Sequence, residues 1–171
     1  MTTDDASRWT ELLEDAAAIA EEFRDNGWDA VVLEPEVVAP VDREDRAGLD
    51  VGVSGEEYAL VESLIARGDV TVSAADVYYR PPESDDEARI ALVVERDEDT
   101  ETSVFVPLRY DLEDEATRSM FEAALASKEV FVHVTPAEAA GATTDDEPGN
   151  WVSFSHDDPS LFLEEADVRN W

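Results

Sequence analysis

Two imidazoles, His133 and His156, are the chain's only histidines. Histidine titrates near neutral pH and serves as an acid–base group or as a ligand to a divalent ion. Both lie in or beside segments that read as strands, so a joint site requires the fold to bring them together. Around the second, the run Ser155-His156-Asp157-Asp158-Pro159 supplies a hydroxyl, an imidazole and two carboxylates. Adjacent residues of a strand point to opposite faces, so these neighbours cannot assemble a Ser-His-Asp relay. Their carboxylates have a simpler use: Asp157 or Asp158 before Pro159 makes a helix N-cap with proline at the first helical position, opening a turn over Ser160-Leu161-Phe162-Leu163. The catalytic candidates are therefore His133, His156 and Asp157, the last pairing with His156 on a divalent metal. Each has a structural alternative, which for His133 is a half-buried sheet position sharing a face with Phe131 and Thr135. Among 44 acidic residues, metal-like spacings arise by chance. Asp50, Glu95 and Asp111 stand out only because they sit beside strand residues, and Glu95 reads as an ordinary strand-end acid.

A second kind of chemistry is contact rather than catalysis. In Tyr78-Tyr79-Arg80-Pro81-Pro82, aromatic and guanidinium groups stand beside rigid prolines, a composition suited to protein interfaces. Tyr79 and Arg80 are the binding candidates, set against a plain strand that ends in a rigid turn with Tyr78 and Tyr79 on opposite faces. No Gly-rich loop ends in Lys-Ser or Lys-Thr, no Gly-x-Gly-x-x-Gly follows a strand, and no His-Glu-x-x-His or calcium-loop spacing occurs. The common nucleotide-phosphate sites are thereby excluded. Absence of cysteine removes disulfides, thiolate nucleophiles and Cys-based zinc or iron–sulfur sites together. No cofactor is expected, and no metal site is assigned.

The elements that must position these residues follow from periodicity. Trp9, Leu12, Leu13, Ala16, Ile19, Ala20 and Phe23 repeat at helical spacing between Asp4 and Asn26, with Gly27 as the stop. Residues 28–34 read as a buried strand. Val37, Val38 and Val41 form a second, broken by Pro35 and Pro40 and therefore placed at a sheet edge. Leu49, Val51 and Val53 alternate with Asp50 and Gly52, which predicts a strand with one wet face. Ser54 and Glu57 have capping-box spacing ahead of a second helix ending near Gly68. Strands over 70–80, 88–95 and 103–110 follow, the last two as a hairpin across the acidic turn Asp97–Thr100. Residues 112–128 make a third helix, 130–134 and 151–154 two further strands, and 137–150 a surface loop. The order α-β-β-β-α-β-β-β-α-β-β predicts one α+β domain over residues 1–171. Its mainly antiparallel sheet carries three amphipathic helices on one face.

Charge bounds the partners. With 12 basic residues against 44 acidic ones the formal charge is −32, and Lys128 is the sole lysine. Regular apolar periodicity argues that these acids coat a folded core rather than mark a disordered tail. Molar salt makes such a coat tolerable, because the Debye length falls to about 3 Å at 1 M. Scarce lysine also leaves little flexible apolar stem exposed where salt strengthens apolar association. The expectation is a salt-adapted protein of a halophile whose structure is lost in low salt. Nucleic acid and anionic membranes are poor partners for this surface. No apolar run approaches the ~18–20 residues that span a bilayer, and the opening Met1-Thr2-Thr3-Asp4-Asp5 lacks signal-peptide character, so the cytoplasm is expected.

Three stretches carry a resemblance. They are Trp9-Thr10-Glu11-Leu12-Leu13-Glu14-Asp15-Ala16 with Gly27-Trp28-Asp29-Ala30; Val104-Phe105-Val106-Pro107 with Tyr110-Asp111-Leu112; and Phe154-Ser155-His156-Asp157-Asp158-Pro159 with Leu161-Phe162. Together they resemble a family of small, uncharacterised proteins of halophilic archaea, a domain of unknown function. That resemblance implies no activity, cofactor or catalytic residue. The residues themselves favour a non-enzymatic binding or accessory protein with a protein partner or self-association. A small metal-dependent hydrolase using His156 or His133 with nearby carboxylates is the alternative.

Overall fold

Residues 3–43, 46–65, 74–80, 89–137 and 152–163 are described in a computed structural model of the chain. The elements run α1 (Thr3–Asp25), β1 (Asp29–Val32), β2 (Val37–Arg43), β3 (Arg46–Val53), α2 (Gly55–Ile65), β4 (Ala74–Arg80), β5 (Arg89–Asp97), β6 (Thr102–Tyr110), α3 (Glu115–Ser127), β7 (Val130–Pro136) and β8 (Val152–His156), then a 3-10 turn over Pro159–Phe162. This is the order that periodicity predicts. The expected loop over 137–150 lies outside the described residues beyond Ala137.

The strands divide into two mixed four-stranded sheets rather than one, ordered β1-β6-β5-β4 (sheet A) and β2-β3-β7-β8 (sheet B). Each sheet has one parallel pair, β1 with β6 and β3 with β7, and its other pairs are antiparallel. The α+β class and the mainly antiparallel pairing stand. The β5–β6 hairpin forms as expected, and the proline-bearing β2 occupies an edge of sheet B. Pro40 fits there because an edge strand can lack one backbone N–H without breaking a ladder on both sides.

The helices do not share one face. α1 packs on sheet A through Leu12, Ala16 and Ala20, which meet Ile90, Leu92, Val94 and Phe105 in a core of their own. The opposite face of sheet A supplies Ala91, Val93, Val104, Val106 and Leu108 to a second, larger core. There they join Leu49, Val51, Val132 and Val134 of sheet B, Tyr58, Val61 and Leu64 of α2, and Met120, Phe121 and Ala124 of α3. Both faces of β5 and β6 are thus apolar, which explains near-continuous runs such as Ile90-Ala91-Leu92-Val93-Val94, where a strand wet on one side would alternate.

β3 departs from its expected wet face. Leu49, Asp50, Val51, Gly52 and Val53 are all buried, because β3 is an interior strand between β2 and β7. Gly48 is required there: a Cβ at this position would be driven into the Phe131 carbonyl of β7. The capping box is present and shares its acid. Ser54 Oγ accepts from the Glu57 N–H at 3.2 Å, and the Glu57 carboxylate accepts from the Glu34 N–H at 2.9 Å while also meeting the Ser54 backbone N–H. A backbone donor from a distant loop is added to the local one.

Candidate functional site

His156 closes β8 and occupies the position partnered with Val130 of β7. Val130 and Val132 face the large core, so His156 enters it as well. Its Nε2 lies 2.6 Å from Oε1 of Glu95, on β5 of the other sheet. Both side chains are sealed: Glu95 is 2% exposed and His156 6%. Glu95 alternates with Ala91 and Val93 on the core-facing side of β5, which brings a carboxylate into an otherwise apolar layer. Neither Glu95 oxygen nor His156 Nε2 has a partner in hydrogen-bond geometry among the described residues, so the close Nε2–Oε1 approach is the polar contact of this buried acid, and it spans sheet A and sheet B.

Around this clasp the 3-10 turn closes the layer. The Phe162 ring meets the His156 ring edge-on at 5.6 Å, and the Tyr110 hydroxyl donates to the Phe162 carbonyl at 2.6 Å. The turn is capped by Asp158, whose Oδ1 accepts from the Ser160 N–H at 3.2 Å, with Pro159 next in line. This is the cap expected from the sequence, with Asp158 in the role and Asp157 exposed beside it.

His133 stands elsewhere. It is partnered with Asp50 across β3–β7, on the face of sheet B opposite His156, and stacks on Phe131 with ring centroids 5.6 Å apart. It is fully buried, as are Asp50 and Thr135. The sheet thus holds the two histidines on opposite faces, where they cannot share an ion or pass a proton directly between them. Among the described residues no group of three His, Asp or Glu side chains is placed to hold a metal ion. Asp111, the third singled-out acid, is exposed and accepts the Glu113 N–H at 2.9 Å in the turn before α3.

The sequence reading missed the partnership of Glu95 with His156. The two are 61 positions apart on strands of different sheets. The one local signal was a carboxylate in register with Ala91 and Val93 on a strand otherwise apolar on both faces. Tyr79 and Arg80 lie on β4, at positions partnered with Ala91 and Ile90, and their side chains fall outside the described residues. Their neighbour Tyr78 is 49% exposed at the edge of sheet A. It lines a groove with Leu92 of β5 and with Leu12, Asp15, Ala18 and Ile19 of α1. No helix among the described residues is long and apolar enough to cross a membrane.

These features define an α+β protein of two mixed sheets clasped by a buried Glu–His contact, with an aromatic-bearing strand at one edge. The chain belongs to DUF7529, a family of unknown function whose model matches residues 2–164. No curated protein and no solved structure matches it.

Proposed function

We propose that the protein is a salt-adapted, cytoplasmic, non-enzymatic binding or accessory module that engages a protein partner through β4. One contrast carries this reading. The imidazoles and interior carboxylates that acid–base chemistry would use, His133, His156, Glu95 and Asp50, are all buried, whereas Tyr78 is half exposed beside an apolar groove on an edge strand. Chemistry on an external substrate needs a reachable group, and an exposed aromatic beside apolar surface is better suited to anchoring. The contact segment is Tyr78-Tyr79-Arg80.

The test is an affinity pull-down from native lysate held in molar KCl, comparing the wild-type chain with Tyr78→Ala and with Tyr79→Ala/Arg80→Ala. A stoichiometric partner is expected with the wild type, and its loss with the variants at unchanged circular dichroism. Folded variants that keep every partner would remove the contact from β4.

A further inference from the structure

We infer that Asn26-Gly27 is a site of spontaneous deamidation which the native end of α1 holds closed, so that it reacts only in chains that have lost this joint, and those chains do not regain it. In an Asn-Gly pair the amide side chain is open to attack by the backbone nitrogen that follows it, because glycine has no Cβ to obstruct the approach. The chain holds one such pair, and both of its residues are exposed. Gly27 is also hard to exchange. Its φ of +89° lies in the left-handed region that ends α1, where a side chain would be strained.

The end of α1 engages both reacting groups. The Gly27 N–H donates to the Arg24 carbonyl at 3.0 Å and the Trp28 N–H to the Phe23 carbonyl at 2.9 Å, the paired bonds of a Schellman cap. The apolar contact that accompanies such a cap is present too: the Trp28 ring meets Phe23 edge-on at 5.2 Å, and Phe23 packs on Phe105 of sheet A at 5.4 Å. Asn26 donates through Nδ2 to the Glu22 carbonyl at 2.9 Å. The nucleophile must give up the proton it donates and the amide must swing off the helix, so attack requires the cap to open first. Once it opens, the Gly27 nitrogen loses its proton to solvent base and bonds to Asn26 Cγ, and the Cγ–Nδ2 bond breaks with loss of ammonia. Water then adds to either carbonyl of the cyclic imide and leaves aspartate or isoaspartate. Isoaspartate routes the main chain through the former side chain and lengthens it by a methylene. That takes the Gly27 and Trp28 donors out of line with their carbonyls, and the carboxylate of neither product can donate to Glu22. The new charge also stands at the negative end of the α1 dipole. β1 begins at Asp29, whose N–H donates to the Glu101 carbonyl at 2.9 Å, so the damage falls where α1 hands the chain to sheet A.

The experiment incubates the full chain at mildly alkaline pH in KCl that preserves its native circular dichroism, and in parallel in the same buffer with enough urea to unfold it. A synthetic peptide of residues 22–31 serves as the unstructured reference. Mass spectrometry of the tryptic peptide 25–43, bounded by Arg24 and Arg43, reads the exchange of amide for carboxyl, and its fragmentation separates aspartate from isoaspartate. The peptide and the urea-unfolded chain should convert alike, and the native chain at least about tenfold more slowly. Trp28→Ala removes the ring contact that seals the cap, and at native circular dichroism it should convert faster than the wild type in the same salt. Chains converted to isoaspartate in urea and returned to KCl should show a lower urea midpoint than unconverted chains carried through the same steps. A native chain that converts as fast as the peptide would overturn protection by the cap. An unfolded chain that stays intact while the peptide reacts would overturn the site, and equal midpoints would overturn the loss of the joint.

Discussion

A carboxylate in an apolar layer needs a cation or a donor beside it, and Glu95 has the His156 imidazole at 2.6 Å. Removing one member of such a pair leaves the other uncompensated, whereas replacing both with apolar groups of similar volume removes the problem. His156→Leu is expected to cost about 3–5 kcal/mol, and Glu95→Leu/His156→Leu to recover most of that. Urea unfolding at constant KCl, arranged as a double-mutant cycle, measures both. A single-mutant cost below about 1 kcal/mol would show that the contact does not clasp the sheets. The Tyr58 phenol supplies a pH test. Burial, followed by its hydrogen bond to Glu62 and that residue's negative charge, pushes its pKa from 10.0 up to about 12. Between those values the folded chain holds a proton that the unfolded chain has released, so this contribution to stability is complete below pH 10.0 and is lost as pH rises toward about 12. Tyr58→Phe should therefore flatten the decline in stability across that window, and ultraviolet difference spectroscopy should lose one phenol ionising near its upper end. An unchanged titration would reassign that phenol.

At the scale of elements, local signals located the helices and strands well and their surroundings less well. Helical periodicity, Asp158 before Pro159 and the β5–β6 hairpin were legible because each depends on residues close in sequence. The capping box was legible; its second partner was not. Ser54 caps α2 as its spacing implies, and Glu57, besides meeting the Ser54 N–H, takes a backbone donor 23 residues away. That position also half-buries its carboxyl, and the burial raises its pKa above the ordinary 4.5 despite the donors it has gained. β3 was misread as wet on one side because Asp50 and Gly52 look like surface residues, and only the pairing of β3 with β7 buries them. The same pairing makes Gly48 a sensitive position. Gly48→Ala would force a methyl into the Phe131 carbonyl and displace one backbone from the other. It should destabilise by about 3 kcal/mol or more, the upper end of overpacking costs, read from thermal or urea unfolding. A loss within about 0.5 kcal/mol would mean that the strands part easily there.

For the whole molecule the dominant quantity is the charge of −32. Its self-repulsion opposes compaction, and salt screens it, so the fold should depend on ionic strength. Dialysis from roughly 2–3 M KCl, where screening acts over a few ångströms, into dilute buffer should abolish the native far-ultraviolet circular dichroism. A spectrum unchanged by dialysis would mean that the two cores hold the fold against the charge unaided.

Composition and periodicity by themselves determined the acidic surface, the α+β class and the order of elements. Each of these depends on residue type or on spacings within a few positions, and the physics of a turn or a strand acts over that range. Only the tertiary structure decided that the strands split into two sheets, that α1 covers one side of sheet A, and that the two histidines stand on opposite faces of sheet B. It also chose Glu95, out of 44 carboxylates, as the one 2.6 Å from His156. Those outcomes depend on which apolar faces find each other across long stretches of chain. That choice is made by burial summed over the whole molecule, and no local spacing encodes it.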